Sequence, residues 1–378
     1  MPVSVFLSGD FAKSRPSENI FDDSIKMVVR SADFSICNFE APILGSEAQK
    51  IPKVGPHLGQ HVSAISSLVE CGFTHVCLAN NHVMDYGGGA LNETIRRIEA
   101  SGLGFIGAGS DFESAYKVKY LESGSIKIAL LAACENEFGC LDSDSGRGGY
   151  AWLYHPKIED SIRELVDTVD YVLLLAHGGV ENIAFPIKEV RERYRRLCDV
   201  GVDVIVGHHP HVPQGHEKYK GALIFYSTGN FYFDTPAYID KPDDSYSVYL
   251  KFDDAGNISF DLVFHRKNQT QLTRIMESES SFSIFELNNL LGDGYEDRCR
   301  KACLDLYRKY YYSYYCDSLG AYSPSMGVKG FFKYMLKKVL RRKTLQYKSL
   351  LLLHNIRIES HRFAVQQALS AIGESRHE

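Results

Sequence analysis

Six short apolar runs in the first part of the chain end in side chains that can bind a metal ion or move a proton. Val3–Ser8 is followed by Gly9-Asp10, Asp33–Cys37 by Asn38-Phe39-Glu40, and His75–Leu78 by Ala79-Asn80-Asn81-His82 with Asp85 beyond. Tyr171–Ala176 leads into His177-Gly178-Gly179 with Glu181 beyond, Val202–Val206 into Gly207-His208-His209-Pro210-His211, and Leu223–Tyr226 into Ser227-Thr228-Gly229-Asn230. Carboxylate and carboxamide oxygens with imidazole nitrogens form the donor set of a borderline divalent ion such as Mn, Fe, Zn or Ni. No thiolate joins them, which argues against a closed structural zinc site. The donors suffice for one ion, or for two sharing a carboxylate, the arrangement that clamps both oxygens of a phosphoryl displacement. Taken singly, an Asp after a strand is more often a turn or helix cap, and a His a structural one. Recurrence at six strand ends is what carries the reading. His57, His61, His75, His216, His354 and His361 lack that context and read as solvated or structural.

The elements that must position these residues follow a βαβ grammar. The runs above, with Ile126–Ala132, are nearly continuous in Val, Ile, Leu, Cys and Phe, as strands covered on both faces are. Amphipathic stretches near Gln60–Cys71, Gly88–Ser101, Pro156–Thr168 and Lys188–Val200 predict helices between them, hence an α/β fold. In such sheets ligands sit outside the carboxyl ends of the strands, where the six side-chain groups fall. Ser245–Phe252 and Ile258–Phe264, joined by Asp253-Asp254-Ala255-Gly256-Asn257, predict a hairpin that closes the domain. The pattern then changes, which places a first domain at 1–270 and a helical, Tyr-rich and basic extension at 280–378.

The 378 residues are 44% hydrophobic and 24% charged, a composition that excludes collagen-like and largely disordered classes. With 42 Lys+Arg against 47 Asp+Glu the net charge is −5, so this is not a chain basic all over that coats nucleic acid. No RNA-binding motif is present, and no specific nucleic-acid partner is expected. Nine cysteines without a CxxC pair, several inside apolar runs, read as small buried hydrophobes in a reducing compartment. The start, MPVSVFLSGD, lacks a basic and apolar leader pattern, and no apolar run reaches membrane-spanning length. The cytoplasm is therefore expected, with peripheral contact on the inner face of the membrane as a further expectation.

The series Gly9-Asp10, NFEAP, LANNHVMDYG, AHGGVEN, VGHHPHVPQG and YSTGNFYFD resembles the CapA-type family named for bacterial capsule and poly-γ-glutamate synthesis. That family belongs to the calcineurin-like metallophosphoesterase fold group. The resemblance covers about residues 2–265 and implies a metallophosphatase-like four-layer sandwich, two mixed sheets flanked by helices. It implies metal ligands at Asp10, Glu40, Asn81, His177, His209 and His211, with Asp10 and His211 on one ion and Asn81, His177 and His209 on the other. Glu40 takes the bridging position that an Asp holds in most phosphoesterases. His82 would act as general acid or phosphate hydrogen-bonder. Asp85, Glu181, His208 and Asn230 would orient ligands or meet substrate. Ala12 stands where most phosphoesterases have a metal-binding His, so one ion would lack a protein ligand.

The function so implied is a metal-dependent hydrolase, a phosphoesterase, acting on a phosphorylated or polyanionic surface-polymer precursor. Two alternatives remain at this point: an amide hydrolase or transferase on a poly-glutamyl-like substrate, and a non-catalytic accessory subunit of a synthesis or export complex. The tail adds a second theme. From Leu319 to Ile358 there is no Asp or Glu but nine Lys and Arg, leaving −5 − 9 = −14 on the rest of the chain. Helical spacing sets Phe332, Met335, Leu336, Val339 and the stem of Arg342 along one stripe. Residues 329–353 then either pack on the main domain with a solvated basic face or lie on an anionic membrane or polyanionic partner. The cluster Tyr307, Tyr310, Tyr311, Tyr312, Tyr314 and Tyr315 reads as packing, or as a polymer-binding surface.

Overall fold

The computed structural model describes residues 2–45, 48–236, 243–319, 327–340 and 345–374. Arg341, Arg342 and Lys343 of the basic segment lie outside the described residues, as do the side chains of Lys333, Leu336, Lys337, Lys338 and Val339. Two compact units result: residues to Ile51 with His57–Asp293, and Pro52–Pro56 with Gly294 onward.

The first unit is built on two large mixed sheets. In the first, the strand Val3–Ala12 is central, with Phe34–Phe39, His75–Cys77 and Gly104–Ile106 following in parallel on one side. On its other side Asp243–Phe252, Ile258–Asn268 and Gln271–Arg274 run antiparallel in succession. The second sheet sets Ile126–Cys134, Tyr171–His177, Val204–His208 and Ala222–Phe225 parallel, with antiparallel edges Lys119–Ser123 and His216–Tyr219. A small third sheet joins Ala108–Gly109, Gly149–Ala151 and Cys140–Leu141.

Side-chain alternation gives the layers. Val5 and Leu7 of the first sheet share one apolar core with Leu130, Leu173, Leu175, Val204 and Val206 of the second. The intervening residues Ala129, Leu131, Leu174 and Ile205 are buried but lie outside that core, as the two-residue period of a strand requires. The helices Pro156–Leu165 and Lys188–Val200 bury Ile158, Ile162, Val190, Tyr194 and Leu197 in turn. On the first sheet, Asp23–Arg30, Ser63–Cys71 and Gly87–Ala100 add Ile25, Val29, Leu68, Leu91 and Ile98 to the shared core. The result is the expected sandwich of two mixed sheets flanked by helices.

The difference from a single open sheet bears on the site. The six side-chain-bearing strand ends divide between two sheets, and Asn230 starts a short strand of its own, Asn230–Phe233, parallel to the end of Val3–Ala12. The first strand thus changes neighbour part-way: Val3–Leu7 pair with Val248–Phe252, and Asp10–Ala12 with Asn230–Phe233. At Gly9 a side chain has no room, since a Cβ there would lie 1.9 Å from the carbonyl oxygen of Gly229. Register shifts flank Asp10 against both Phe34–Phe39 and Asn230–Phe233. Such bulges re-aim a side chain out of the ladder.

The second unit is helical: Tyr295–Leu306 and Tyr312–Leu319 joined by a π-helical turn at Tyr307–Tyr311, then Gly327–Leu340, Leu345–Arg357 and Glu359–Glu374. Glu359–Glu374 packs along Tyr295–Leu306, and Leu345–Arg357 along Tyr312–Leu319. Of the tyrosine cluster Tyr311 is buried, while Tyr310 and Tyr314 are exposed. None of the nine cysteines forms a disulfide, and all but Cys198 are buried. No described helix is long and apolar enough to cross a membrane.

Candidate metal centre

The carboxyl ends of the two sheets bring the expected side chains together. Asp10, Glu40 and His177 each offer a donor atom, and these atoms lie within 4.8 Å of one another. His211 joins them, with Nδ1 3.4 Å from Asp10 Oδ2 and Nε2 3.8 Å from Glu40 Oε1. Asn81 Oδ1 and His209 Nδ1 stand 3.1 Å and 3.2 Å from His177 Nε2. Donors bonded to one ion at about 2.0–2.2 Å are about 3.0–3.5 Å apart at tetrahedral or octahedral angles, and each of these two separations falls in that range. All six residues are buried. Ala12, also buried, offers no donor.

The loops that carry these groups are held in backbone conformations that L-residues rarely adopt. Ala41, next to Glu40, has φ 101°, His209 has φ 97° and His211 has φ 58°. Left-handed backbone at non-glycine residues costs of order 1–3 kcal/mol each, and persists where the surroundings fix it. Three such residues at one site mark loops shaped to aim side chains. Packing tightens the same corner. A Cβ at Gly207 would lie 2.0 Å from the carbonyl oxygen of Tyr226, so glycine is needed where Val204–His208 turns toward the site.

Charge is distributed unevenly. Burial alone would raise the Asp10 carboxyl, but the hydrogen-bonding contact with His211 and the electrostatic influence of the His177 and His211 rings outweigh it and hold it far below the usual carboxylate range. Glu40 is pushed well above its ordinary value, first by burial and then by the Asp10 charge. Burial, then His209, holds His177 well below its usual value, and burial brings His209 down to about 4. Neutral imidazoles are what a metal takes as ligands. Both carboxylate oxygens of Glu40 are buried without a hydrogen-bond partner. A buried carboxylate left so is costly unless a cation meets it. The residues present therefore fit a divalent ion.

Around the donors lies a set of orienting contacts. His82 Nδ1 is 2.6 Å from Asp85 Oδ2, which also accepts the Leu58 N–H at 2.7 Å. His82 Nε2 looks toward the cluster, 3.9 Å from Glu40 Oε1. Asn230 Oδ1 is 2.9 Å from His211 Nδ1, and its amide donates to Asp243. His208, by contrast, turns Nε2 to the Ser8 carbonyl at 3.2 Å, so its ring braces the first strand from the second sheet. Glu181 is exposed, and its charge acts on Glu40 and His209.

Three contributors escape the sequence reading. Asn38 donates to Asp10 Oδ1 at 2.7 Å and lies 3.1 Å from His177 Nδ1. Asn80 donates to the Phe39 carbonyl at 3.0 Å and fixes the turn that bears Glu40. Glu137 accepts from Asn81 Nδ2 at 3.2 Å. Glu137 follows the strand Ile126–Cys134, so the rule applied to the other strand ends would have found it.

Comparison with known proteins gives the family. "Bacterial capsule synthesis protein PGA_cap" matches residues 8–235, more than half of the chain and every residue of the cluster. The chain belongs to this bacterial capsule synthesis family. A "Capsule biosynthesis protein CapA" of Bacillus anthracis is 30% identical over 62% of this chain and 58% of its own length. A "PGA biosynthesis protein CapA" of Bacillus subtilis (strain 168) is 31% identical over 61% of this chain and 63% of its own. The chain thus spans about three-fifths of the length of these relatives. Among solved structures, a 5'-nucleotidase precursor from Thermus thermophilus aligns with 80% of this chain and 60% of its own at TM-score 0.45 and 11% identity. So distant a likeness carries no argument about chemistry.

Proposed function

We propose that the chain is a metal-dependent hydrolase, a phosphoesterase acting on a phosphorylated or polyanionic precursor in capsule or surface-polymer synthesis. Glu40 carries the reading. Its carboxylate is buried and unpartnered, with Oε1 3.8 Å and 3.9 Å from Nε2 of His211 and His82. Asp10, Glu40 and His211 would hold one divalent ion, and Asn81, His177 and His209 a second, with Glu40 shared. Such an ion supplies Lewis-acid polarisation of the scissile group and lowers the pKa of water toward about 7.

The chain's own residues do the rest. Asn230 accepts from His211 Nδ1–H, which leaves Nε2 with its lone pair on the Glu40 side. With Asp85 ionised, His82 carries its proton on Nδ1, so Nε2 is the nitrogen that exchanges a proton with a leaving oxygen. The names of the relatives support the surface-polymer setting.

Elemental analysis of protein purified without chelator, wild type beside His209→Ala, tests the site. One or two transition-metal equivalents in the wild type, reduced in the variant, are expected. Bis-p-nitrophenyl phosphate and a γ-glutamyl amide then separate ester from amide hydrolysis. A chain that carries no metal and cannot be loaded overturns the reading. Metal without turnover of either substrate moves it to an accessory protein.

A further inference from the structure

The helix Gly327–Leu340 shows four large apolar side chains to solvent: Val328 is 74% exposed, Phe331 40%, Phe332 67% and Met335 43%. Counted from Val328 they stand at i+3, i+4 and i+7, which is one face of an α-helix. The Phe331 and Phe332 rings lie edge to face, 5.9 Å apart. The next helix, Leu345–Arg357, opens with Leu345 82% exposed and Tyr347 37%. Scattered exposed apolar residues are ordinary, but a helix face made of them marks a contact surface.

The same segment has a one-sided charge. Residues 319–358 hold nine Lys and Arg with no Asp or Glu, and the rest of the chain carries −14. Lys329, exposed, sits between Val328 and Phe331 in the chain.

We propose that this helix docks the protein on an anionic lipid surface. A soluble polyanion would meet the cations but give no shelter to Val328, Phe331, Phe332 and Met335. A purely apolar partner would offer nothing to the basic residues of the segment. The headgroup boundary of an anionic leaflet answers both, because apolar side chains enter the acyl region while Lys and Arg stay at the phosphates. The contact is interfacial, since no described helix can span a bilayer.

Co-sedimentation of the full chain with phosphatidylcholine vesicles, with and without phosphatidylglycerol, tests the proposal. Binding is expected only with the anionic lipid, weaker in high salt. It should fall about tenfold or more in Phe331→Ser/Phe332→Ser/Met335→Ser, whose circular dichroism matches wild type. Binding of the triple variant equal to wild type overturns the proposal, because charge alone then suffices. So does a wild type that ignores the vesicles but is retained by soluble poly-glutamate, which would make the partner a polyanion.

Discussion

Asn38 holds Asp10: its side-chain amide donates to Asp10 Oδ1 at 2.7 Å, carboxamide to carboxylate across two adjacent strands. The same amide reaches His177 Nδ1 at 3.1 Å on the other sheet. Asn38→Ala should leave the fold intact but weaken metal binding by about 10- to 100-fold, as loss of an orienting partner does. Competition against a chromophoric chelator measures this. Unchanged affinity in a less stable protein would reduce Asn38 to a packing residue.

His82 and Asp85 should separate binding from turnover. Neither is among the residues proposed to hold an ion, so His82→Ala and Asp85→Asn are expected to retain the wild-type metal content. His82→Ala should lower kcat by about 10²- to 10⁴-fold on an ester with a poor leaving group. Asp85→Asn should lose less, because it disorients the ring without removing it. Equal rates for His82→Ala and wild type would exclude the acid role.

Metal should stabilise the fold through Glu40. Saturation to about 100 times Kd adds about 2.7 kcal/mol to a protein that binds the ion only when folded. Scanning calorimetry with and without added Mn or Zn should show this rise in wild type. In Glu40→Gln, whose neutral amide is a poor ligand, the rise should shrink. An equal rise in both proteins would place the ion elsewhere.

Glu217 gives a stability test away from the site. Burial pushes its carboxyl up, but hydrogen bonds from Arg195, Arg191 and Tyr226 outweigh this and hold it down at about 2. A carboxyl depressed in the folded state stabilises it above the unfolded value near 4.5, and that stability is lost as pH falls toward 2. Glu217→Gln should therefore cost about 2 kcal/mol at pH 7, the size of a hydrogen bond to a charged group. The gap to wild type in urea melts should narrow below about pH 4. A gap independent of pH would mean that shape rather than charge is lost.

The sequence exposes those parts of the architecture that depend on local pattern. Lys188–Val200 is a helix as its spacing predicts, and Asp243–Phe252 pairs with Ile258–Asn268 as a hairpin. The two-residue strand Ala108–Gly109 is too short for a period to show, and Asn230–Phe233 is defined by its pairing with Asp10–Ala12, where Gly229 comes close to Gly9, a contact that no local pattern announces. Histidines make the centre conspicuous, since imidazoles at several strand ends are rare by chance. Asn38 stays hidden because amides are common surface residues and only its distance to Asp10 distinguishes it, whereas Glu137 lies just past a strand end where the same rule reaches it. His208 is conspicuous by adjacency alone: alternation along Val204–His208 sends its ring to Ser8 instead.

The division of the donors between two sheets has a consequence for how the chain matures. Asp10, Glu40 and Asn81 lie in or just after strands of one sheet, while His177, His209 and His211 lie in or just after strands of the other. Neither half alone presents a full coordination sphere. If the six residues hold an ion as proposed, a ribosome-bound chain would lack half of its ligands until the Val204–His208 strand has emerged. On the proposed reading, an ion held by both sets of residues would be taken up only after the two sheets have docked, because its ligands are far apart in the chain.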